Sequence, residues 1–175
     1  MRKRLTLIDE ARYLAISKHG VQGYDEYPYY YHLEEVVDVL RDHGYTEDKY
    51  IISAYLHDIL EDTATSYNDI KKLFGEEIAE IVYCVTDELG RNRKERKEKT
   101  YPKIKGNKDA IIIKLADRIA NVKNCIKTEN ALLAMYKNEY AEFRSALDNN
   151  DYTLDSLFIE LDDLLLDVSK IGPAY

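Results

Sequence analysis

The chain has 175 residues, a formal net charge of −8 and two cysteines, Cys84 and Cys125. That length suits one domain with a sizeable core, and the acidic balance excludes a protein that coats duplex nucleic acid, though not one that holds a small anionic ligand through local cations or a metal. The cysteines sit in helical apolar patterns, which fits reduced thiols in a cytoplasmic setting, and the basic start Met1-Arg2-Lys3-Arg4 precedes no long apolar run, so neither a signal peptide nor a membrane partner is expected.

Leu5 to Ser17 reads as a first helix through Leu7, Ile8, Ala11, Leu14 and Ala15, closing near Gly20, with His19 as a surface residue at its end. Val21 to Tyr31 reads as irregular, because Gly23 and Pro28 interrupt it. Its tyrosines (Tyr27, Tyr29, Tyr30, Tyr31) read as core and rim packing rather than ligand stacking. His32 stands directly before an amphipathic helix, Leu33 to Leu40, that closes at Gly44. A histidine at such a junction can point into a cleft; His43, beside Gly44, reads as a cap contributor. Thr46 predicts an N-cap, and the helix it opens runs through Ile51 to about Asp62.

Ser66 and Asp69 have capping-box spacing and open a helix that ends at Gly75; Glu76 to Thr86 is the next. Glu88 to Lys108 is a basic run with Arg91, Arg93, Lys94, Arg96, Lys97, Lys99, Lys103 and Lys105. It reads either as a solvated, partly mobile segment or as a positive arm that concentrates an anionic ligand. Asp109 to Ile126 is apolar on nearly every side, so it is predicted to be central, yet it carries Lys114, Asp117, Arg118 and Asn121. Two more helices follow, about 129–147 and 153–168; acids on the last (Asp155, Glu160, Asp162, Asp163, Asp167) read as a solvated face. With no strand-like alternation and no repeat, the pattern predicts an all-α single domain over 1–175, its core about 5–147.

The stretch His57-Asp58-Ile59-Leu60-Glu61-Asp62 lies in the most apolar part of its helix. Charge there is costly unless it is paired or binds a metal. On a continuous helix Glu61 lies over His57 and Asp62 over Asp58, while His57 and Asp58 diverge by about 100° and can grip one ion from two sides. Asp117, inside its own buried helix, needs a cation; Lys114 and Arg118 are the alternatives to a metal, and Asn121 shares its face.

The order His32…His57-Asp58…Asp117 resembles the signature of the HD-domain metal-dependent phosphohydrolases. The likeness extends through Tyr55–Thr63, Phe74-Gly75, Val85-Thr86 and Ile113–Asn121 to the alarmone hydrolase branch, the hydrolase domains of RelA/SpoT proteins and the small stand-alone hydrolases. It covers about residues 5–145 and implies a compact helical HD-domain fold and Mn²⁺-dependent removal of the 3′-pyrophosphate from (p)ppGpp. By the same resemblance His32, His57, Asp58 and Asp117 are metal ligands, Glu61 and Asp62 are the paired acids beside the catalytic water, and Asn121 lies near the sugar and phosphate. Tyr136, Lys137 and Tyr140 fall where the family places aromatic and basic ligand contacts.

The family's Arg-Lys pair for guanine and phosphate recognition is replaced by Gly23 and Tyr24, leaving Tyr24 to stack on a base or the basic run to supply charge. Mixed nitrogen and oxygen donors suit Mn²⁺ or another divalent ion. Lys114, Arg118 and the basic residues of 91–105 are candidates to neutralise phosphate charge, with Arg118 read first as a structural partner for an acid. The expected partner is a small nucleotide, and a homo-oligomer is left open. Competing readings are a phosphohydrolase for another nucleotide, such as a monophosphate or cyclic nucleotide, and a non-catalytic nucleotide sensor, against which Glu61 and Asp62 count; a nuclease fits least.

Overall fold

Apolar residues recurring every three to four positions fold the chain into helices α1 (Leu7–His19), α2 (Tyr30–Asp42), α3 (Asp48–Leu56), α4 (Ile59–Asp62), α5 (Tyr67–Phe74), α6 (Glu76–Val85), α7 (Arg93–Lys105), α8 (Lys108–Lys127), α9 (Leu132–Leu147) and α10 (Asp155–Leu165). A computed structural model describes residues 5–166; the basic start at 1–4 and the expected end of the last helix, with Asp167 and Val168, lie outside them. The all-α reading holds, with one small exception. Gly23–Tyr24 (β1) and Tyr27–Pro28 (β2) pair antiparallel, Tyr24 opposite Tyr27, where an irregular segment was expected. Strands of two residues are too short to carry an alternating pattern.

Helix α8 is the axis of the fold, and every residue from 110 to 120 is buried. α2, α6, α7, α9 and α10 pack around it, while α1 lies on α3. One continuous apolar cluster runs from Ala11 to Leu165. Local chemistry sets the helix ends. Thr6 and Ser66 form capping boxes with Asp9 and Asp69, and Asn92 and Asn107 accept from the backbones of Glu95 and Ala110 to start α7 and α8. Thr46 is not the cap of α3: Glu47 takes that position in extended conformation without a side-chain bond. Gly75, at φ 93° and ψ 169°, both ends α5 and begins α6, a backbone conformation essentially confined to glycine that costs other residues on the order of 1–3 kcal/mol.

Three departures from the expected elements bear on the site. First, the helix carrying the central motif is broken: α3 ends at Leu56, and Asp58 has φ −102° and ψ 0° before α4 begins. Second, His32 lies within the first turn of α2 rather than ahead of it. Third, the basic run is largely helix α7, with Lys97, Thr100, Tyr101 and Ile104 buried and Pro102 carried inside it. The acidic face of α10 is also less solvated than its charge suggests. Glu160 accepts from His43 and pairs with Lys123 at 2.5 Å, tying α10 to α2 and α8, and Asp162 takes Arg144 of α9 at 3.1 Å.

Candidate metal centre

The break between α3 and α4 turns His57 and Asp58 inward toward α2 and α8. His57 is fully enclosed, and its Nδ1 donates to the Ala54 carbonyl at 2.7 Å, which fixes the tautomer and leaves the Nε2 lone pair facing the site. Around that nitrogen lie Asp58 Oδ2 at 2.9 Å, His32 Nε2 at 3.4 Å and Asp117 Oδ1 at 3.7 Å; His32 Nε2 is 3.3 Å from the same Asp117 oxygen. Donors bound side by side on one ion at ~2.1 Å stand about 3 Å apart, so this spacing fits a divalent metal. One donor atom from each of His32, His57 and Asp117 lies within 4.8 Å of the others, and Asp58 joins them through His57. Lone pairs converging in a buried site require positive charge, which is the fit of these residues to a metal.

The electrostatics show the same demand. Burial works against charge on His57, yet Asp58 and Asp117 outweigh it and raise its pKa well above the ordinary histidine value. Burial likewise opposes ionisation of Asp58 and Asp117, but His57 holds the first below the carboxylate range, and Lys114 with the two histidines holds the second there. A cation at the centre takes over the work of those protons.

Outside the donors two different walls meet. On one, Arg93 and Lys97 of α7, Lys114, Arg118 and Asn121 of α8, and Tyr136 of α9 line a cavity with Asp58, Glu61, Asp87 and Asp117. Lys114 bonds Asp117 at 2.9 Å, and Asn121 donates to the same carboxylate at 2.6 Å. Lys97 bonds both oxygens of Asp87 at 2.8 Å. Arg118 lies over the rings of Tyr136 and Phe143, 4.7 and 4.2 Å from their centroids, and keeps a buried Nη1 with no hydrogen-bond acceptor. On the other wall the hairpin places the Tyr24 ring 4.8 Å from His32 and its hydroxyl 3.3 Å from Asn121 Oδ1, while the Tyr29 hydroxyl donates to Asp58. The hairpin is pinned to the end of α8 by Asp25, which accepts from Asn124 at 2.5 Å and Asn130 at 3.3 Å.

The structure therefore gathers His32, His57, Asp58 and Asp117, with Lys114, Asn121, Tyr24 and Tyr136 beside them. The two acids of α4 part company. Glu61 faces the cavity and accepts from Asp87 N–H at 3.1 Å, whereas Asp62 accepts from Gln22 at 2.9 Å, so the two side chains have different partners although Asp62 N–H keeps a one-turn bond to the Asp58 carbonyl. Tyr140 is directed elsewhere, its hydroxyl donating to Asp162 at 2.6 Å, and Lys137 is exposed outside the cavity lining. His19, expected at the surface, is buried with its ring 4.5 Å from that of Tyr29. Tyr29 and Asp87 escaped the sequence reading as site residues, because tyrosine is ordinarily packing and a lone Asp after a helix is ordinarily surface. The proximity of Tyr29 to His32, three residues on, was the available signal.

The family model described as HD domain matches residues 11–147. The chain is 30% identical over 143 residues to guanosine-3′,5′-bis(diphosphate) 3′-pyrophosphohydrolase MESH1 of Drosophila melanogaster, covering 79% of this chain and 80% of that one. It is 31% identical to MESH1 of Danio rerio, over 75% of this chain and 76% of that one. Against guanosine-3′,5′-bis(diphosphate) 3′-pyrophosphohydrolase of Aquifex aeolicus the identity is 38%, over 66% of this chain but 17% of the other. A solved structure described as a metazoan ortholog of SpoT superimposes with a TM-score of 0.79 at 24% identity, over 98% of this chain and all of that one, a likeness of fold. The donor set and the match over most of its length agree: the chain belongs to the HD domain family.

Proposed function

We propose that this protein is a cytoplasmic, Mn²⁺-dependent pyrophosphohydrolase that removes the 3′-pyrophosphate of (p)ppGpp. The observation that carries the reading is the meeting of one metal-type donor set with Arg93, Lys97, Lys114 and Arg118 in one cavity. Such a cavity suits a substrate with several phosphates. Relatives matched over about four fifths of their length are named for this reaction, which supports the choice of nucleotide. Among the described residues no helix is long and apolar enough to cross a membrane.

His32, His57, Asp58 and Asp117 would hold the ion, which when bound polarises a phosphoryl oxygen and lowers the pKa of a water. Tyr29, donating to Asp58, holds that carboxylate in register. Glu61 serves as general base: burial raises its pKa, the Asp87 N–H opposes the shift, and the charges of Asp87 and Asp58 add to it, so it accepts a proton more readily than an ordinary carboxylate. Water oxygen bonds to phosphorus as Glu61 takes its proton, the bond from phosphorus to the 3′ oxygen breaks, and that oxygen leaves as the ribose hydroxyl with the proton returned by Glu61. Arg118 and Lys97 take the phosphate charge, and Tyr24 with Asn121 borders the sugar and base. Tyr24 thus offers a ring where related enzymes carry a cation.

The test is product release from purified wild type and Asp58→Ala with Mn²⁺, against ppGpp, pppGpp and a nucleotide panel. Pyrophosphate with a 5′-phosphorylated guanosine, from wild type only, is expected. Cleavage of a different nucleotide with ppGpp left intact would reassign the substrate and leave the metal centre standing; equal activity in metal-free Asp58→Ala would remove both.

A further inference from the structure

We propose that Gln22 is a positioning residue for Asp62, itself oriented by the buried imidazole of His19; the inference rests on the hydrolase reading and assigns the second acid of α4 its place. Gln22 Nε2 donates to Asp62 Oδ2 at 2.9 Å, and its Oε1 faces His19 Nδ1 at 2.8 Å. An amide has one donor end and one acceptor end. With Nε2 committed to a carboxylate, Oε1 must accept, so His19 donates from Nδ1. Both orientations are thereby fixed.

The backbone around Gln22 is equally determined. Its N–H bonds the His19 carbonyl at 3.0 Å and its carbonyl accepts from Tyr29 N–H at 3.0 Å, directly after the Gly20 turn at φ 55°. His19 is packed against Tyr29, whose hydroxyl holds Asp58 of the candidate metal centre. One assembly of α1 end, hairpin and α4 thus fixes both Asp58 and Asp62. Asp62 N–H also bonds the Asp58 carbonyl at 2.9 Å, so the two carboxylates spring from one turn.

The consequence is a division between the two acids. Glu61 lies on the cation-lined side of Asp58. Asp62 lies on the tyrosine side, bonded to Gln22, whose carbonyl accepts from the Tyr29 N–H. An exposed aspartate on a four-residue helix would otherwise sample several rotamers. The Gln22 amide selects one and holds the carboxylate in it, at the cost of little entropy because the amide is itself already ordered.

Gln22→Met keeps the side-chain length and removes the hydrogen bond. Its expected effect is a loss in kcat of about ten- to a hundredfold with KM within about twofold, because misplacing a catalytic carboxylate by about 1 Å costs on that order, together with a modest fall in melting temperature as buried His19 Nδ1 loses its acceptor. In an Asp62→Asn background the same substitution should add no further loss. Unchanged kcat, a loss confined to KM, or an equal loss in the Asp62→Asn background would overturn the proposal. Crystal structures of wild type and Gln22→Met decide it independently of substrate: Asp62 leaving its position supports the assignment, and an unmoved carboxylate removes it. Failure of wild type to cleave ppGpp would sink the substrate reading alone, since the crystallographic comparison still stands.

Discussion

Helices α7 and α8 each bring a buried lysine to the same cavity, each bonded to an aspartate, yet their pKa values move in opposite directions. On Lys114 burial lowers the pKa, but Asp117 and Asp58 outweigh it and the net shift is upward. On Lys97 burial also lowers it, the charge of Lys114 adds to that, and Asp87 only partly compensates, so the net shift is downward. Lys114 is a satisfied cation, there to keep Asp117 ionised inside an apolar helix. Lys97 is paired with Asp87 at 2.8 Å yet is the less stabilised cation of the two, and an added anion would favour its charge. Cations lining one cavity therefore need not play one role. In the proposed function Lys114 of α8 builds the metal centre, whereas Lys97 of α7 meets the charge of the substrate.

Substitutions can break this contrast. The largest effect is expected for Lys114→Met, which leaves Asp117 buried without its cation: about 3–5 kcal/mol of stability lost in urea denaturation without metal, with part regained on adding Mn²⁺. A loss below about 1 kcal/mol would mean that Lys114 is held for substrate instead. Lys97→Met should raise KM for the nucleotide by about tenfold, the order of ~1.4 kcal/mol, while kcat stays within about twofold and stability falls less than in Lys114→Met, because Asp87 keeps Arg96 at 3.9 Å. If kcat falls and KM does not, Lys97 belongs to the reacting centre and the contrast fails.

The smallest effect lies at the other end of α8, where Glu160 joins Lys123 and His43. Burial pushes the pKa of Glu160 up, but its bonds to Lys123 and His43 outweigh that and lower it. A carboxylate with a depressed folded-state pKa stabilises the fold above its unfolded value and loses that contribution as pH falls through the folded one. Glu160→Gln should therefore cost about 1 kcal/mol at neutral pH and progressively less into the acid range below the ordinary glutamate value. Melting temperatures of both proteins across that range provide the check; a gap that widens on acidification would refute the sign.

Legibility differed between these regions for physical reasons. α8 announces itself because Ala110, Ile111, Ile112, Ile113 and Leu115 leave no polar side, and charges set in such a helix must be answered inside the protein. α7 hides because its charges and Pro102 resemble a solvated segment, and only Thr100, Tyr101 and Ile104 betray the buried face that packs on α8 and α9. Tyr140 marks the same limit within the site: Tyr136, one turn earlier, lines the cavity, but Asp162, from a distant segment, takes the Tyr140 hydroxyl.

By itself the sequence determined the helical class, the central place of α8 and the candidate metal-binding side chains, because apolar periodicity dictates which faces are buried and burial makes isolated charge costly. Only the tertiary structure decided that the helix breaks at His57 and Asp58, that Glu61 and Asp62 face opposite walls, and that a two-strand hairpin anchored on α8 closes the site with Tyr24 and Tyr29. Those features depend on hydrogen bonds between residues far apart in the chain, whose partners no local pattern specifies.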